Sequence, residues 1–438
     1  MDELLSVGLD VGTTSTQLVV SKLRVENQAS AFAVPEMVIS QREIIYKSPV
    51  HFTPLLGVDR VDGAALRIIV EEEYERAGIR REDVDTGAVI ITGETSRKEN
   101  ARAVLDALSD FAGDFVVATA GADLESVLAA KGAGAVAYSA QTGKRVLHFD
   151  IGGGTSNLAL VEDGKITATA CLNVGGRLVK IDETERICYV SPVLEGIFEG
   201  RVGDFADRGK LEALAERLAQ VLEMAAGLRE QDGTFQQLTT AGTVPLVPGA
   251  GLVISFSGGV ADCMEKSRDW LAFGDLGVLL GQAIKGSRLC QGAYMLGVET
   301  IRATVIGAGC HSTQLSGSTV FYQNVAFPMK NLPVVEQVED LSRLDEPGVL
   351  VVKGEAMDFA GVRDLAKSLA KTMKPPLYLA TAGDMAKALG VQLALSMGTG
   401  VSILCIDRVR LGEGDYLDVG APIGPALPVV VKTLVMEK

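Results

Sequence analysis

The chain has 438 residues, an apolar fraction of 47%, a mean hydropathy of +0.25 and a net charge of −15. That length implies two or three domains, and the acidic balance argues against nucleic acid and anionic membranes as partners. No apolar run approaches the ~18 residues of a membrane span.

The first strand signal begins by Leu4, which leaves no room for a cleavable targeting peptide. It runs over Leu4–Leu9 into Asp10-Val11-Gly12-Thr13-Thr14-Ser15, and a second strand signal follows over Gln17–Lys22. Pro35–Ile45 alternates apolar and polar residues. Leu66, Ile69, Val70 and Tyr74 share one helical face, so Asp62–Ala77 is expected to be a helix stopped by Gly78. Gly87–Thr92 reads as a buried strand, 94–108 as a polar-faced helix, Phe115–Thr119 as a strand and Asp123–Ser139 as a close-packing helix.

The opening design then returns, 140 residues later, as Phe149-Asp150-Ile151-Gly152-Gly153-Gly154-Thr155-Ser156 between two apolar strands. Glu162-Asp163-Gly164-Lys165 supplies the next hairpin turn. A long amphipathic helix is expected over 210–229, a strand over Leu252–Phe256 ending in Ser257-Gly258-Gly259, and helices over 260–273 and 275–285. Residues 326–347 carry three prolines and read as a linker, followed by an α/β segment over 348–438. The expected division is therefore 1–144, 145–325, 326–347 and 348–438.

The duplicated loop has a chemical meaning. Glycine backbones bring N–H groups close to phosphate oxygens, and two carboxylates, Asp10 and Asp150, can hold a hydrated magnesium ion between them. The six cysteines contain no C-x-x-C pair, and of the three histidines only His311 adjoins a thiol, Cys310. Buried free thiols in a reducing compartment fit better than a zinc site.

With these segments in order, the first 320 residues or so resemble the actin, heat-shock chaperone and sugar-kinase ATPase superfamily. Asp10–Ser15 and Asp150–Ser156 resemble its two phosphate loops. Asp123–Ser139 and Ala303–Gly309 resemble its connecting helices, Val174-Gly175-Gly176 its glycine pair, and Ser257-Gly258-Gly259 its adenosine loop. The resemblance implies an α/β fold: a duplicated ribonuclease-H-like, actin/chaperone-type ATPase with two lobes around a nucleotide cleft. It implies ATP and magnesium as cofactors. Gly12, Thr13, Thr14, Gly152, Gly153, Gly154, Thr155 and Ser156 would hold phosphate, and Gly258 and Gly259 the nucleoside. Glu125 would orient the attacking water, with Glu94 as the alternative. Gly307 and Gly309 read as close helix packing.

Across the whole chain, Ile91–Ala101, Asp418-Val419-Gly420-Ala421-Pro422 and Val430–Val435 are similar to the reactivating factors of ethanolamine ammonia-lyase. That family implies a slow ATPase that acts as a chaperone on one client, an adenosylcobalamin enzyme, so that damaged cobalamin leaves and intact cofactor enters. A small-molecule kinase on the same fold is the alternative, and a nucleotide-regulated filament or scaffold is a third. The expected compartment is the cytoplasm, with a bacterial microcompartment left open, as is a homo-oligomer.

Overall fold

The computed structural model describes residues 2–12, 15–28, 37–56, 60–92, 108, 116–119, 122–240, 252–297, 300–311, 313–316, 319–344, 346–353, 357–409, 411, 415–422 and 426–433. The first lobe is built on β1 (Asp2–Val11), β2 (Ser15–Asn27), β3 (Met37–Lys47), β4 (His51–Phe52), β5 (Thr86–Ile91) and β6 (Val116–Thr119). Its order is β3-β2-β1-β5-β6, with β4 paired to the start of β2. The first three strands are antiparallel, and β5 and β6 continue parallel to β1.

The second lobe uses β7 (Val146–Ile151), β8 (Ser156–Glu162) and β9 (Lys165–Leu172), a two-stranded ribbon of β10 (Val179–Ile181) and β11 (Ile187–Val190), then β12 (Val253–Ser257) and β13 (Tyr294–Leu296). Its main sheet reads β9-β8-β7-β12-β13, again three antiparallel strands followed by two parallel ones. The duplicated loops thus belong to duplicated sheets.

Two helices join the lobes. Ala122–Gly132 packs on the second-lobe sheet, and Ala303–His311 packs on β1, β2 and β5. They cross with backbones in contact. A Cβ on Gly132 would lie 1.9 Å from the Ala303 carbonyl oxygen, and one on Gly307 2.1 Å from that of Leu128. A Cβ on Gly8 of β1 would meet Val305 O at 2.5 Å and Gly309 N at 2.7 Å. Glycine is required at each crossing because the opposing atoms are main chain, which cannot rotate aside. Gly307 and Gly309 are therefore packing residues.

Local signals explain most element ends. Asp62 caps the helix Gly63–Ala77 by accepting from Ala64 N and Ala65 N, and Gly78 at φ +68° stops it. Asp207 caps Arg208–Ala225 in the same way. The helix expected over 123–139 is divided at Gly134, whose φ of +85° ends one helix and lets Ala135–Thr142 begin at a new angle. The helix expected over 260–273 is reduced to one 3₁₀ turn, Ala261–Cys263. There Asp262 accepts from Lys266, Arg268 and Thr300, and these side-chain bonds hold the following segment in turns. The expected helix over 94–108 lies outside the described residues except for Leu108.

The third unit is one sheet with the order β14-β21-β20-β16-β17-β18-β19-β15. Its strands are β14 (Thr313–Leu315), β15 (Phe321–Gln323), β16 (Met329–Val335), β17 (Val349–Val352), β18 (Leu377–Thr381), β19 (Ile403–Asp407), β20 (Asp415–Val419) and β21 (Pro428–Thr433). Strands β16 to β19 run parallel, and helices Phe359–Thr372 and Ala386–Met397 share one of the sheet's two apolar clusters. This overturns the linker expected over 326–347, because β16 sits in the middle of the sheet. Leu332 and Val334 enter one apolar cluster and Val335 the other, as a two-sided buried strand requires. Pro333 is accommodated beside a register shift in the pairing with β20, where a missing ladder N–H does least harm. No helix among the described residues is long and apolar enough to cross a membrane.

Candidate functional site

Both hairpin tips close in the same way. Gly12 N donates to Ser15 O at 2.9 Å, and Gly152 N donates to Thr155 O at 2.9 Å. Asp10 stands across its hairpin from Gln17, and Asp150 from Asn157. The two acids interact: enclosure by protein pushes the Asp10 carboxyl up to about 7, against a donated bond from Thr92, and the Asp150 charge adds to the rise. Burial raises Asp150 as well, opposed by bonds from Ser257 and Thr304. No cationic side chain is among the causes in either case. The two loops therefore bring two acids into one field with no countercharge from the described residues.

The turn before the second connecting helix, with the helix's first residues, ties the loops together. Gln17 Nε2 donates to Ile301 O at 3.4 Å and Arg302 Nη2 to Ser48 O at 2.9 Å, both in the first lobe. Thr304 Oγ1 donates to Asp150 at 3.2 Å, and Thr300 O accepts from Gly258 N at 2.9 Å, both in the second.

Around Asp10 the donor is Thr92 Oγ1, at 2.8 Å. Thr53 Oγ1 donates to Gly12 O at 2.7 Å, which anchors the first loop to the segment after β4. Asp150 is held more firmly. Ser257 Oγ donates to Oδ1 at 2.5 Å and Thr304 Oγ1 to Oδ2. Behind it lies fully buried His148, with Nε2 2.9 Å from Ser257 Oγ and Nδ1 3.0 Å from Ser255 Oγ. Burial drives the imidazole down to about 3, so it is neutral.

The second loop is clamped through its carbonyls. Gly176 N donates to Gly152 O at 3.0 Å, Arg177 N to Gly153 O at 2.6 Å and Val260 N to Ile151 O at 3.2 Å. The N–H groups of Gly153 and Gly154 meet no acceptor among the described residues. Carbonyls turned into protein and N–H groups left over make a nest for an anion. Arg177 lays its stem over Gly153, within 3.3 Å of a Cβ placed there, and pairs with Asp275 at 3.2 Å.

Several expected binding residues have other duties here. Ser156 is fully buried, and its hydroxyl donates to Val174 O at 2.7 Å, which ties the loop to the glycine pair. Gly258 is glycine because its φ is +89° and a Cβ would sit 2.3 Å from Ile151 O. A Cβ on Gly259 would meet nothing within 4 Å among the described residues, so Gly259 is the less crowded member of the pair. Thr13, Thr14 and Glu94 lie outside the described residues. Glu125 is buried in the first connecting helix, and its Oε2 accepts from Asn157 Nδ2 at 2.5 Å. A solvated helix-start carboxylate is thereby excluded for Glu125, which stands beside the second loop.

Sequence reasoning passed over Thr92, His148, Asn157, Ser257 as a donor, and Thr304. A signal existed for His148, which lies two residues before Asp150 on the same strand face. Asn157 and Gln17 could have been found as amides placed alike after the two acids. Both keep a buried side-chain oxygen without a described partner. Among the described residues no group of three His, Cys, Asp or Glu side chains could hold a metal unaided. All six cysteines are free.

Comparison with known proteins agrees in family. The model of the family described as "Ethanolamine utilisation protein EutA" matches residues 2–349 and 340–437. The Escherichia coli protein named ethanolamine ammonia-lyase reactivase EutA is 39% identical over 467 residues, covering 99% of this chain and 98% of its own. Its Salmonella typhimurium counterpart, of the same name, is 38% identical with the same coverage. Among solved structures, an Aquifex aeolicus member of the Ppx/GppA family aligns with a TM-score of 0.43 and 13% identity, over 70% of this chain and 97% of that one.

Proposed function

Since the chain belongs to the EutA family of ethanolamine utilisation proteins, we propose that it is an ATP-dependent reactivating chaperone of ethanolamine ammonia-lyase. In this reading nucleotide drives a change in the lobes that loosens the client, so that damaged cobalamin is exchanged for intact adenosylcobalamin. The observation that carries the nucleotide part is the pair of acid-tipped loops sharing one electrostatic field.

The residues fit magnesium and ATP. Two acids pushed upward with no cationic partner among the described residues call for a cation, and the N–H groups of Gly153 and Gly154, which meet no described acceptor, call for an anion. Asp10 and Asp150 would hold magnesium, largely through its waters, as suits an ion that surrenders water reluctantly. When bound, the ion supplies neutralisation of phosphate charge. Gly12, Gly152, Gly153, Gly154 and Thr155 would cradle the phosphates, with Thr13 and Thr14 completing the first loop. Gly259 would border the nucleoside. Glu125, held by Asn157, would orient the attacking water. Nucleotide acts on lobe closure only through a difference in affinity between open and closed forms. The proposed setting is the cytoplasm, or a bacterial microcompartment within it.

The test uses ethanolamine ammonia-lyase blocked with cyanocobalamin, free adenosylcobalamin, ATP, magnesium and the purified protein. Recovery of deaminase activity is expected, and Asp150→Asn should abolish it while the variant stays folded. ATP consumption that depends on an added sugar or acid, with no recovery, would instead identify a small-molecule kinase.

A further inference from the structure

His148, Ser255 and Ser257 form a polar set on the face of the second-lobe sheet that is otherwise lined by Val146, Ala159, Val161 and Val253. The strand register explains the set. His148 pairs with Ser255 and Asp150 with Ser257 on parallel strands, so all four side chains lie on one face. His148, Ser255 and Ser257 are each 0% exposed. An apolar trio of similar shape would be no less stable in such a layer, because burying polar groups gains little even when all are paired. Among the described residues the set has one outlet, the Ser257 bond to Asp150 Oδ1.

With Asp150 ionised, that outlet fixes every proton in the chain of bonds. An ionised carboxylate only accepts, so the single hydroxyl proton of Ser257 goes to Asp150. The Ser257 oxygen must then accept from His148, which places the imidazole proton on Nε2. Nδ1 is left bare and accepts from the Ser255 hydroxyl. We propose that His148 is a positioning residue for Asp150: its Nε2–H occupies the Ser257 oxygen, so the Ser257 hydroxyl stays aimed at Oδ1 and the carboxylate is held in one orientation. This rests on the reading of Asp150 as a magnesium-holding group, and it adds the residue that sets its aim.

Two measurements decide it. In nucleotide-free protein labelled with ¹⁵N-histidine, at a pH high enough to ionise Asp150 against the rise that burial gives it, His148 should show the Nε2–H tautomer, identified by the signals lost in His148→Gln. An Nδ1–H tautomer would overturn the proposal whatever the protein binds. The second is a double-mutant cycle on Mg–ATP affinity by calorimetry, with ATP in EDTA as the metal-free control. Ser257→Ala should weaken Mg–ATP binding ~10-fold, the scale of one bond to a charged group, with little change in EDTA. His148→Asn, which offers an N–H only at the Nδ1 position, should weaken it severalfold in the parent and not at all in Ser257→Ala. His148→Gln, with its amide at the Nε2 position, should restore affinity close to that of the parent. An equal loss in both backgrounds would mean that His148 acts through packing, and the proposal fails. Absence of Mg–ATP binding by the unmodified protein would sink the nucleotide reading itself, an outcome distinct from a wrong tautomer.

Discussion

The two acid-tipped hairpins share turn closure and register, yet their surroundings differ. Asp150 takes hydroxyl bonds on both oxygens, from Ser257 and Thr304, and its loop is clamped through the carbonyls of Ile151, Gly152 and Gly153. Among the described residues Asp10 takes one hydroxyl bond, from Thr92, and its loop is anchored through two carbonyls, Val11 O from Thr92 N at 3.1 Å and Gly12 O from Thr53. The second lobe thus offers a braced wall and the first a looser one, while burial raises the carboxyl in both. In a nucleotide clamp the looser half is the one whose position and charge a ligand can change most.

The largest test of that contrast is a methyl group on Gly258, in the segment that clamps the second loop, set against one on the first loop itself. Gly258→Ala adds a Cβ 2.3 Å from Ile151 O at a φ of +89°, whereas the nearest contact for Gly12→Ala is Ser15 O at 3.1 Å. We expect the first to lose ~3 kcal/mol in urea unfolding and the second ~1 kcal/mol or less. Equal losses would erase the distinction between braced and loose loops.

Neutralising the acids should have opposite effects on the nucleotide-free protein. Asp10→Asn removes a poorly supported charge and should add ~1 kcal/mol of stability at pH 8. Asp150→Asn turns an amide N–H toward one of two hydroxyl donors and should lose ~1–2 kcal/mol. Thermal unfolding of both variants would break the comparison if the signs agreed.

The pH dependence sharpens it further. Asp10 has a folded value near 7 against an ordinary 3.8, so between those limits the native state binds more protons than the unfolded chain. The sign follows: Asp10 lowers stability as pH rises from about 4 to about 7, and the slope is gone above that. The effect should be absent from Asp10→Asn. Thr92→Val should give the smallest change. Losing the one donor that holds Asp10 down moves the upper end of that window higher, by less than about one pH unit.

Much of this architecture could be read from local signals. The Asp62 cap, the apolar face over Leu66 to Tyr74 and the Gly78 stop lie within one short stretch, so the helix needed no distant partner to be recognised. The duplicated loop was legible for the same reason. Local signals failed where long-range contacts overrode them. Prolines in 326–347 looked like punctuation, but burial of Leu332, Val334 and Val335 made that segment a central strand. Val260, Ala261, Cys263 and Met264 looked like the start of a helix, and the ion pairs of Asp262 held the chain in turns. Gly258 looked like a ligand-facing glycine, although the constraint on it is the carbonyl of Ile151.

Sequence by itself determined the two hairpins, their glycine-rich tips and an acid at the same register in each, because strand pairing across a short turn is a local property. Tertiary structure decided what each acid became. The donors that hold them come from 82, 107 and 154 residues away, delivered by β5, by β12 and by the second connecting helix. A carboxylate's charge and aim depend on solvent exclusion and on the number of donors around it, and only the packed sheets and crossing helices set those.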